Sequence, residues 1–356
     1  MRKIKVAMIG CGGMGNGHLD GYAGYLKDLF EVVALCDIKP EKAESSKARL
    51  GFDCKVVADY HEVLAMEDVE AVDIATPNYM HHVIAIDALN AGKHVFCEKP
   101  DCISVQNALD MKAASEKNGK TLMVMRNNRY YDGSVYLKNL IRKGEFGEIY
   151  AGRCGWQRRR GITGKGGWFT TKEQSGGGPL IDLGVHMIDL SIWLMGNPRP
   201  VAVSGCTFMK FADNKAGADS INATFGEAKA DGIFDVEDLA MGFIRFDNGA
   251  CLQIEFSWAS NVKEEKRFVE LRGTKAGCTW RDGTTVEVYS EDETGRLYDV
   301  SPKIVNVNGH WRNLEHFYHV IRDGVTPDFV PEQGVNMIKI LNAMYESART
   351  GAEVRL

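Results

Sequence analysis

The stretch VAMIGCGGMG at residues 6–15 decides the fold of the first part of this chain. Its first four residues are apolar and typical of a buried strand, and the next six fit the pattern G-x-G-x-x-G. Gly10 permits a tight turn, Gly12 lets a pyrophosphate approach the backbone amides, and Gly15 lets a helix pack closely on the strand. An acidic residue, Asp37, follows 22 positions after the last glycine. This spacing predicts a dinucleotide-binding strand–helix–strand unit.

Strand-like and helix-like segments alternate from this motif to about residue 125. The predicted strands are 6–9, 32–36, 71–75, 94–97 and 121–125, and the predicted helices are 13–27, 40–50, 80–90 and 104–118. Apolar strands that alternate with helices form a parallel sheet covered on both faces. We therefore expect an α/β protein whose residues 1–125 form a doubly wound Rossmann domain.

The pattern changes in the second predicted domain, residues 126–356, where strands dominate after one helix at 132–143. The predicted strands lie around 147–158, 201–210, 238–247, 250–258, 267–273 and 285–291, and helices return near 314–321 and 337–348. Apolar and more polar residues alternate along 250–258, as in a strand with one buried face. This pattern predicts an α+β domain with a large, mostly antiparallel, open-faced sheet. A second subunit could cover the open face, so we expect a homodimer or homotetramer.

Composition excludes several classes of function. The net charge of −5 offers no basic surface for nucleic acid. The nine cysteines are scattered without a C-x-x-C pair, which is typical of reduced thiols in the cytoplasm. No apolar stretch is long enough to cross a membrane, and the first residues do not resemble a signal peptide.

The cofactor site is expected at the carboxyl ends of the parallel strands, where ligands bind in doubly wound sheets. The phosphates would lie at the N-terminus of the first helix, and Asp37 would accept hydrogen bonds from the ribose hydroxyls. Its charge would repel a 2′-phosphate, which favours NAD over NADP, although Lys39 and Lys42 could soften that preference. The predicted cofactor-binding residues are Gly10, Gly12, Gly13, Met14, Gly15, Asp37, Ile38, Thr76, Pro77, Asn78, His81, Glu98 and Lys99.

A second pattern indicates proton transfer. His186 follows Asp182 by four positions, just after the glycine run 176–178 and Pro179. In a helix that begins at Pro179, the carboxylate and the imidazole fall on the same face. Beside a nicotinamide cofactor, such a pair suits alcohol–carbonyl redox chemistry. Asp189 would either orient His186 or make structural hydrogen bonds.

Several stretches of the chain together resemble the glucose–fructose oxidoreductase/inositol dehydrogenase/MocA family. They are the glycine motif with Asp37, ATP at 75–77, CEKP at 97–100, GGGPLIDLGVHMID at 176–189 and YESARTG at 345–351. The resemblance implies an oxidoreductase that acts on a hydroxyl of a sugar, polyol or cyclitol. It also implies that Lys99 is the catalytic lysine, Asp182 the substrate-contacting aspartate and His186 the proton-transfer residue.

The substrate pocket is expected around an aromatic and basic stretch near residue 156. An aromatic ring can stack on a sugar, and arginine or glutamine can bind hydroxyls or a carboxylate. The run 158–160 is equally typical of a solvated surface, and the loop 161–167 could form a mobile edge. His316 and His319 lack the neighbours of a metal cage, so we expect no metal. The predicted substrate-binding residues are Lys99, Asn128, Trp156, Gln157, Arg158, Trp168, Asp182 and His186.

Two alternatives to a dehydrogenase remain open. The first is a glycosidase of the same family, in which bound NAD transiently oxidises the sugar and drives elimination. The second is a sugar or NAD sensor that has lost catalysis, against which the intact Lys99, Asp182 and His186 argue. We also expect the Lys99–Pro100 peptide bond to be cis.

Overall fold

A computed structural model describes residues 2–212 and 226–356 of the chain. Contacts divide the described residues into two units. The first comprises residues up to 125 together with 310–338, and the second comprises 126–309 together with 339–356. Residues 310–338 thus belong to the first unit, although in sequence they lie between the two segments of the second.

The first unit is built on a parallel sheet. Its strand order is β3-β2-β1-β4-β5-β6, so the order reverses beside β1, at the point where doubly wound sheets bind ligands. The strands are β1 (Ile4–Ile9), β2 (Phe30–Cys36), β3 (Lys55–Val57), β4 (Ala71–Ile74), β5 (His94–Cys97) and β6 (Leu122–Val124), and the helices between them are α1 (Gly13–Ala23), α2 (Pro40–Leu50), α3 (Tyr60–Leu64), α4 (Asn78–Asn90) and α5 (Val105–Asn118).

Local sequence sets the ends of these helices. Pro40 begins α2, where its missing N–H costs no helical hydrogen bond, and the left-handed Gly51 ends it. The Ser104 hydroxyl accepts a hydrogen bond from the amide of Asn107 and so caps α5, which ends at the left-handed Gly119. These signals explain why both helices were predicted closely.

The second unit is built on a mostly antiparallel sheet, in which β7 and β10 form the one parallel pair among the described strands. The order is β14-β13-β12-β11-β7-β10-β9-β8-β15. This arrangement confirms the predicted fold class. The elements are α6 (Asp132–Arg142), β7 (Ile149–Gln157), α7 (Lys172–Ser175), α8 (Val185–Leu194), β8 (Pro200–Phe208), β9 (Leu239–Phe246), β10 (Cys251–Ser257), β11 (Lys266–Gly273), β12 (Ala276–Arg281), β13 (Thr285–Glu291), β14 (Leu297–Val300) and β15 (Val354–Arg355).

The two faces of this sheet differ. On the inner face α8 packs against β7 and β11, and the buried Leu252, Ile254 and Phe256 alternate along β10. On the outer face Phe208 is 42% exposed and Cys206 is also exposed to solvent. The predicted alternation of strand 250–258 is therefore confirmed, and the sheet keeps apolar side chains on a face that solvent reaches.

Two long helices complete the chain, α9 (Gly309–Asp323) and α10 (Pro331–Thr350). Within the first unit, Phe317 packs on Phe96 with ring centroids 5.3 Å apart, and Tyr318 packs on Phe30 at 5.7 Å. These aromatic contacts join α9 to the parallel sheet. In the described ranges no helix is both long enough and apolar enough to span a membrane.

Candidate active site

The glycine turn after β1 has the geometry that a bound dinucleotide needs. Gly10 has a φ of +98°, and a Cβ there would lie 2.5 Å from the carbonyl oxygen of Ala75. A Cβ at Gly15 would collide with the carbonyl oxygen of Gly10, whereas one at Gly12 would meet nothing within 4 Å. The turn is therefore closely packed at Gly10 and Gly15 and open at Gly12, where the amides at the start of α1 can donate hydrogen bonds to phosphates.

Asp37 is fixed beside this turn. Its carboxylate accepts hydrogen bonds from the backbone amides of Cys11 and Lys39, each at 2.9 Å. The next side chain, Ile38, is 87% exposed. An oriented carboxylate and an exposed apolar side chain suit a ribose and an adenine ring. Lys42 lines a cavity of about 600 Å³ that adjoins the turn.

The end of β4 carries a polar group that lacks a partner. The hydroxyl oxygen of Thr76 is buried and has no hydrogen-bond partner among the described residues. Such an atom costs free energy unless a ligand or water satisfies it. Together with the open glycine turn, this orphaned hydroxyl fits a nicotinamide dinucleotide in the crevice. Pro77 and the buried Asn78 follow it at the start of α4.

His81 connects the two backbone segments that border this crevice. Its ring nitrogens lie 2.8 Å from the carbonyl oxygen of Thr76 and 2.7 Å from that of Pro100. Burial lowers the pKa of His81, and the contacts with the two carbonyls oppose that effect. Both nitrogens face backbone carbonyls, so His81 holds the walls of the crevice. The Lys99–Pro100 bond is cis, which confirms that prediction.

A buried charged cluster that was not predicted from the sequence adjoins the backbone of Lys99. The His18 ring contacts Asp73 at 2.9 Å through Nδ1 and Glu98 at 3.0 Å through Nε2. The Tyr22 hydroxyl donates to Asp73 at 2.8 Å, and Glu98 accepts from the amide of Lys99 at 3.0 Å. The signal was available: an aspartate interrupts an apolar strand, and a histidine follows the glycine motif by three residues.

Asp182 and His186 lie on one continuous helical segment of the second unit. A π-helical turn (Leu180–Gly184) runs directly into α8, a local geometry frequent at functional sites. Trp258 donates its indole N–H to the carboxylate of Asp182 at 2.9 Å. The ring centroids of His186 and Trp156 are 6.1 Å apart. The prediction of a helix that places both residues together is thus refined by the π turn.

The glycine run before this segment is anchored by a buried acid. Glu237 accepts hydrogen bonds from the amides of Gly178 at 2.9 Å and Leu180 at 3.1 Å, and from the Tyr345 hydroxyl at 3.0 Å. A Cβ at Gly178 would collide with the backbone oxygen of Glu237. The sequence signal for the anchor was weak, because Glu237 lies far along the chain from its partners.

Asp189 has a structural role in this unit. Its carboxylate accepts two hydrogen bonds from Arg129, one of them at 2.8 Å, and Arg126 approaches it to 3.0 Å. All three residues are buried. Of the two readings offered for Asp189, these contacts favour structural hydrogen bonding. They also supply the counter-charge for the buried Arg129.

The structure brings some of the predicted substrate residues together and leaves Gln157 on the opposite face of the sheet. Arg158 is only 5% exposed and lies over Trp156, 5.2 Å from its ring centroid, whereas Arg159 is exposed. Asn128 is also buried and accepts a hydrogen bond from Arg267. Strand alternation puts Gln157 on the face opposite Trp156, so Gln157 does not join this group.

Trp168 and the two histidines near the end of the chain have partners of their own. Trp168 stacks on Phe169 with centroids 3.8 Å apart, beyond the turns of loop 161–167. His319 pairs with Asp323 at 2.6 Å, and His316 accepts the amide of Asp328. Over the ranges that the structure describes, no three His, Cys, Asp or Glu side chains are grouped as metal ligands.

Comparison with known proteins gives family matches over nearly the whole chain. Residues 4–126 match the model of an oxidoreductase family with an NAD-binding Rossmann fold, and residues 138–356 match its C-terminal alpha/beta domain. The chain is 32% identical to the D-glucoside 3-dehydrogenase of Escherichia coli strain K12, over 99% of this chain and 97% of that protein.

Two further relatives are named for levoglucosan. The levoglucosan dehydrogenase of Pseudarthrobacter phenanthrenivorans is 30% identical over 79% of this chain and 74% of its own. A solved levoglucosan dehydrogenase in complex with NADH and L-sorbose superposes with a TM-score of 0.85 at 25% identity, covering 100% of this chain and 99% of that one. The fold is therefore shared along the full length.

Proposed function

The chain belongs to the glucose–fructose oxidoreductase/inositol dehydrogenase/MocA family of oxidoreductases, and we propose that it transfers a hydride between NAD and a secondary hydroxyl of a sugar, polyol or cyclitol. It is an oxidoreductase with NAD as cofactor. Relatives that are named for a glucoside and for levoglucosan support a carbohydrate substrate.

The observation that carries the proposal is the side-chain pair on the helical segment of the second unit. Asp182 is oriented by the indole of Trp258, and His186 follows one helical turn later beside Trp156. A carboxylate and an imidazole placed in this way can hold a hydroxyl and accept its proton. The orphaned Thr76 hydroxyl and the open glycine turn support the cofactor end.

NAD supplies the hydride acceptor when it is bound. Oxidation of an alcohol also releases a proton, and we assign its removal to His186, because an imidazole exchanges protons near neutral pH. Asp182 accepts hydrogen bonds from substrate hydroxyls and supports the imidazolium that forms. Lys99 stabilises the charge that develops on the alcohol oxygen. The amides before α1 and Asp37 bind the phosphates and the ribose.

The test measures NADH formation and NAD binding in the same variants. We expect His186→Ala and Lys99→Ala to lose turnover by about 100-fold or more while NAD still binds, since general acid–base catalysis contributes roughly that factor. His61→Ala is the control, because this histidine is exposed and its ring contacts Asp59 and Asp87 of the first unit. Near-normal turnover of His186→Ala would refute its role, and glycoside cleavage without net NADH would favour the glycosidase alternative.

We further propose that two or four copies associate through the outer face of the second sheet. The apolar side chains on that face include Phe208 and the cross-strand pair of Cys206 and Met241. Apolar surface of this kind commonly marks a subunit interface. Site residues on the inner face would remain available to substrate.

A cytoplasmic location is proposed as well. All nine cysteines lie within the described ranges, and each is an unpaired thiol. Unpaired thiols in this number are typical of a reducing compartment. Localisation of a fluorescently tagged chain tests the proposal, and export would contradict it.

A further inference from the structure

Two arginines meet at one tryptophan beside His186. Arg267 lies directly opposite Trp156 in the antiparallel pair of β11 and β7, so both side chains point to the inner face. The guanidinium carbons of Arg267 and Arg158 lie 4.6 Å and 5.2 Å from the centroid of the Trp156 ring. Because Trp156 also neighbours His186, two cationic groups border the candidate catalytic residues.

Within the part of the chain that the structure describes, neither arginine has an anionic partner closer than 4.0 Å. Arg158 donates to the carbonyl oxygen of Gly161 and the hydroxyl of Thr163, both at 3.1 Å, and Arg267 donates to the side-chain oxygen of Asn128. Their Nε atoms are buried and make no hydrogen bond within the described ranges. Over residues 2–212 and 226–356, neither guanidinium forms an ion pair within 4.0 Å.

Other arginines of this unit show that the pattern is unusual. The buried Arg126 and Arg129 both pair with Asp189, and Arg153, on the same strand as Trp156, pairs with Glu270 on the outer face. Buried charges are almost always paired, because desolvation without a counter-charge is costly. The unpaired guanidiniums therefore indicate a counter-charge that arrives with a ligand.

Burial acts on both guanidiniums in the same direction. Burial lowers the pKa of Arg158, and the positive charge of Arg267 lowers it further. The negative charges of Asp182 and then Glu265 raise it. Burial also lowers the pKa of Arg267, opposed by Tyr131 and the exposed Asp282. The nearest carboxylates thus compensate the two positive charges only from a distance.

We propose that Arg158 and Arg267 bind an oxyanion on the substrate, the carboxylate of a sugar acid or the phosphate of a sugar phosphate. This inference rests on the proposed function and names its substrate class. A planar guanidinium donates parallel hydrogen bonds to both kinds of oxyanion, and each Nε still has its N–H to give. The hydrogen bond to Asn128 orients the guanidinium of Arg267. The hydroxyls of a neutral sugar could accept hydrogen bonds here, but they would leave the positive charge of the guanidiniums uncompensated.

The experiment compares matched sugars on the NAD-loaded enzyme. D-glucuronate and D-glucose 6-phosphate are each measured against D-glucose, and D-galacturonate against D-galactose. We expect kcat/KM for at least one anionic member to exceed that of its neutral partner by about tenfold or more, as hydrogen bonds to charged groups commonly give. The two anionic arms distinguish a carboxylate from a phosphate. The ligand-induced rise in melting temperature is recorded for every sugar as a second measurement.

Variants connect the preference to the two arginines. Arg267→Gln should lower the ratio of anionic to neutral kcat/KM by about tenfold. Arg267→Lys should keep only part of the preference, because the charge remains but the parallel hydrogen bonds of the guanidinium are lost. Arg158→Gln should act in the same way, and Arg267→Gln decides the question if Arg158→Gln fails to fold. Arg153→Gln is the matched control on the outer face, where the ratio should not change.

The outcomes separate this inference from the proposed function. If neutral sugars are preferred, or if Arg267→Gln leaves the ratio at its wild-type value, the anion site is overturned while a dehydrogenase remains. If no sugar yields NADH, the proposed function fails for this panel, and the melting temperatures decide: a larger rise with the anionic sugars supports the site, and an equal or smaller rise overturns it.

Discussion

The imidazole of His18 lies fully buried between two carboxylates of the first unit. Burial alone would lower its pKa, but the contacts with Asp73 and then Glu98 outweigh that effect and raise the pKa to about 10. The cation in turn holds the pKa of Glu98 well below its usual range, against the effect of burial. Because Glu98 also accepts a hydrogen bond from the amide of Lys99, this cluster fixes the backbone at the lysine to which we assign a catalytic role.

The raised pKa of His18 predicts a loss of stability in alkali. Relative to its ordinary value of 6.5, the folded protein binds this proton more tightly, so the stabilisation is complete below pH 6.5 and disappears as the pH rises toward 10. His18→Gln should lack this dependence. Melting temperatures of both proteins between pH 6.5 and 10.5 measure it, and parallel curves would contradict the assignment.

His94 provides a control of opposite sign. Burial lowers its pKa to about 4, so its contribution is present above pH 6.5 and is lost as the pH falls toward 4. The neutral ring accepts the amide of Thr121 at 3.1 Å. We therefore expect His94→Gln to flatten the acid side of the stability profile and leave the alkaline side unchanged.

Two fully buried tryptophans of the second unit differ in one hydrogen bond. Trp258 donates to Asp182, whereas the indole nitrogen of Trp280 has no partner in the described structure. Trp258→Phe should lower kcat by about tenfold or more, because Asp182 loses its orientation. Trp280→Phe should lower stability similarly but reduce kcat less. Equal effects on kcat would show that packing, and not the hydrogen bond, carries the change.

The turn that leads into α8 depends on a single buried carboxylate. Glu237 satisfies two backbone amides at the start of the π-helical segment, where no helical partner exists for them. Glu237→Gln should lower the free energy of unfolding by about 2 kcal/mol, because it removes charge-assisted bonds to buried donors. It should also lower turnover, since the segment carries Asp182 and His186.

Tyr345→Phe is the graded control for this prediction. It removes one donor to Glu237 but leaves both backbone hydrogen bonds, so about 1 kcal/mol should be lost and turnover largely kept. Chemical denaturation of both variants measures the free energies of unfolding. A larger loss in Tyr345→Phe than in Glu237→Gln would contradict the role given to the carboxylate.

Elements with local signals were predicted well, and those set by distant contacts were not. Proline and glycine mark both ends of α2, and the observed bounds equal the predicted 40–50. Helix α1 was predicted to reach residue 27 but ends at Ala23, where the amide of Gly24 closes the last turn. Strand β12 was missed, because Ala276–Arg281 lacks a clear alternation and is defined by its pairing with β11 and β13.

The same limit applies to the candidate site. The glycine turn, Asp37, Asp182 and His186 follow from motifs of fixed spacing. The partners of these residues, such as Trp258 for Asp182, lie up to 76 positions away along the chain, and only folding brings them together. Arg267 was overlooked for this reason, since one arginine in a charged strand gives no sign that it faces Trp156.

At the scale of the whole molecule, the proposed association uses the outer face of the second sheet. Cys206 lies opposite Met241, and Ser204 lies opposite Phe243, on neighbouring strands of that face. Met241 and Phe243 are partly exposed, and Arg245 lies over the Phe243 ring at 5.1 Å. An interface that buries this surface removes the apolar side chains from water on both copies.

Phe243→Glu should convert the assembly to single chains, because it places a buried, unpaired charge in each copy of the interface. Light scattering coupled to size-exclusion chromatography measures the mass. Leu109→Glu is the matched control, since Leu109 is 40% exposed on α5 of the other unit and should leave the mass unchanged. A wild-type protein that already runs as one chain at micromolar concentration, or a Phe243→Glu variant of unchanged mass, would remove this face as the interface.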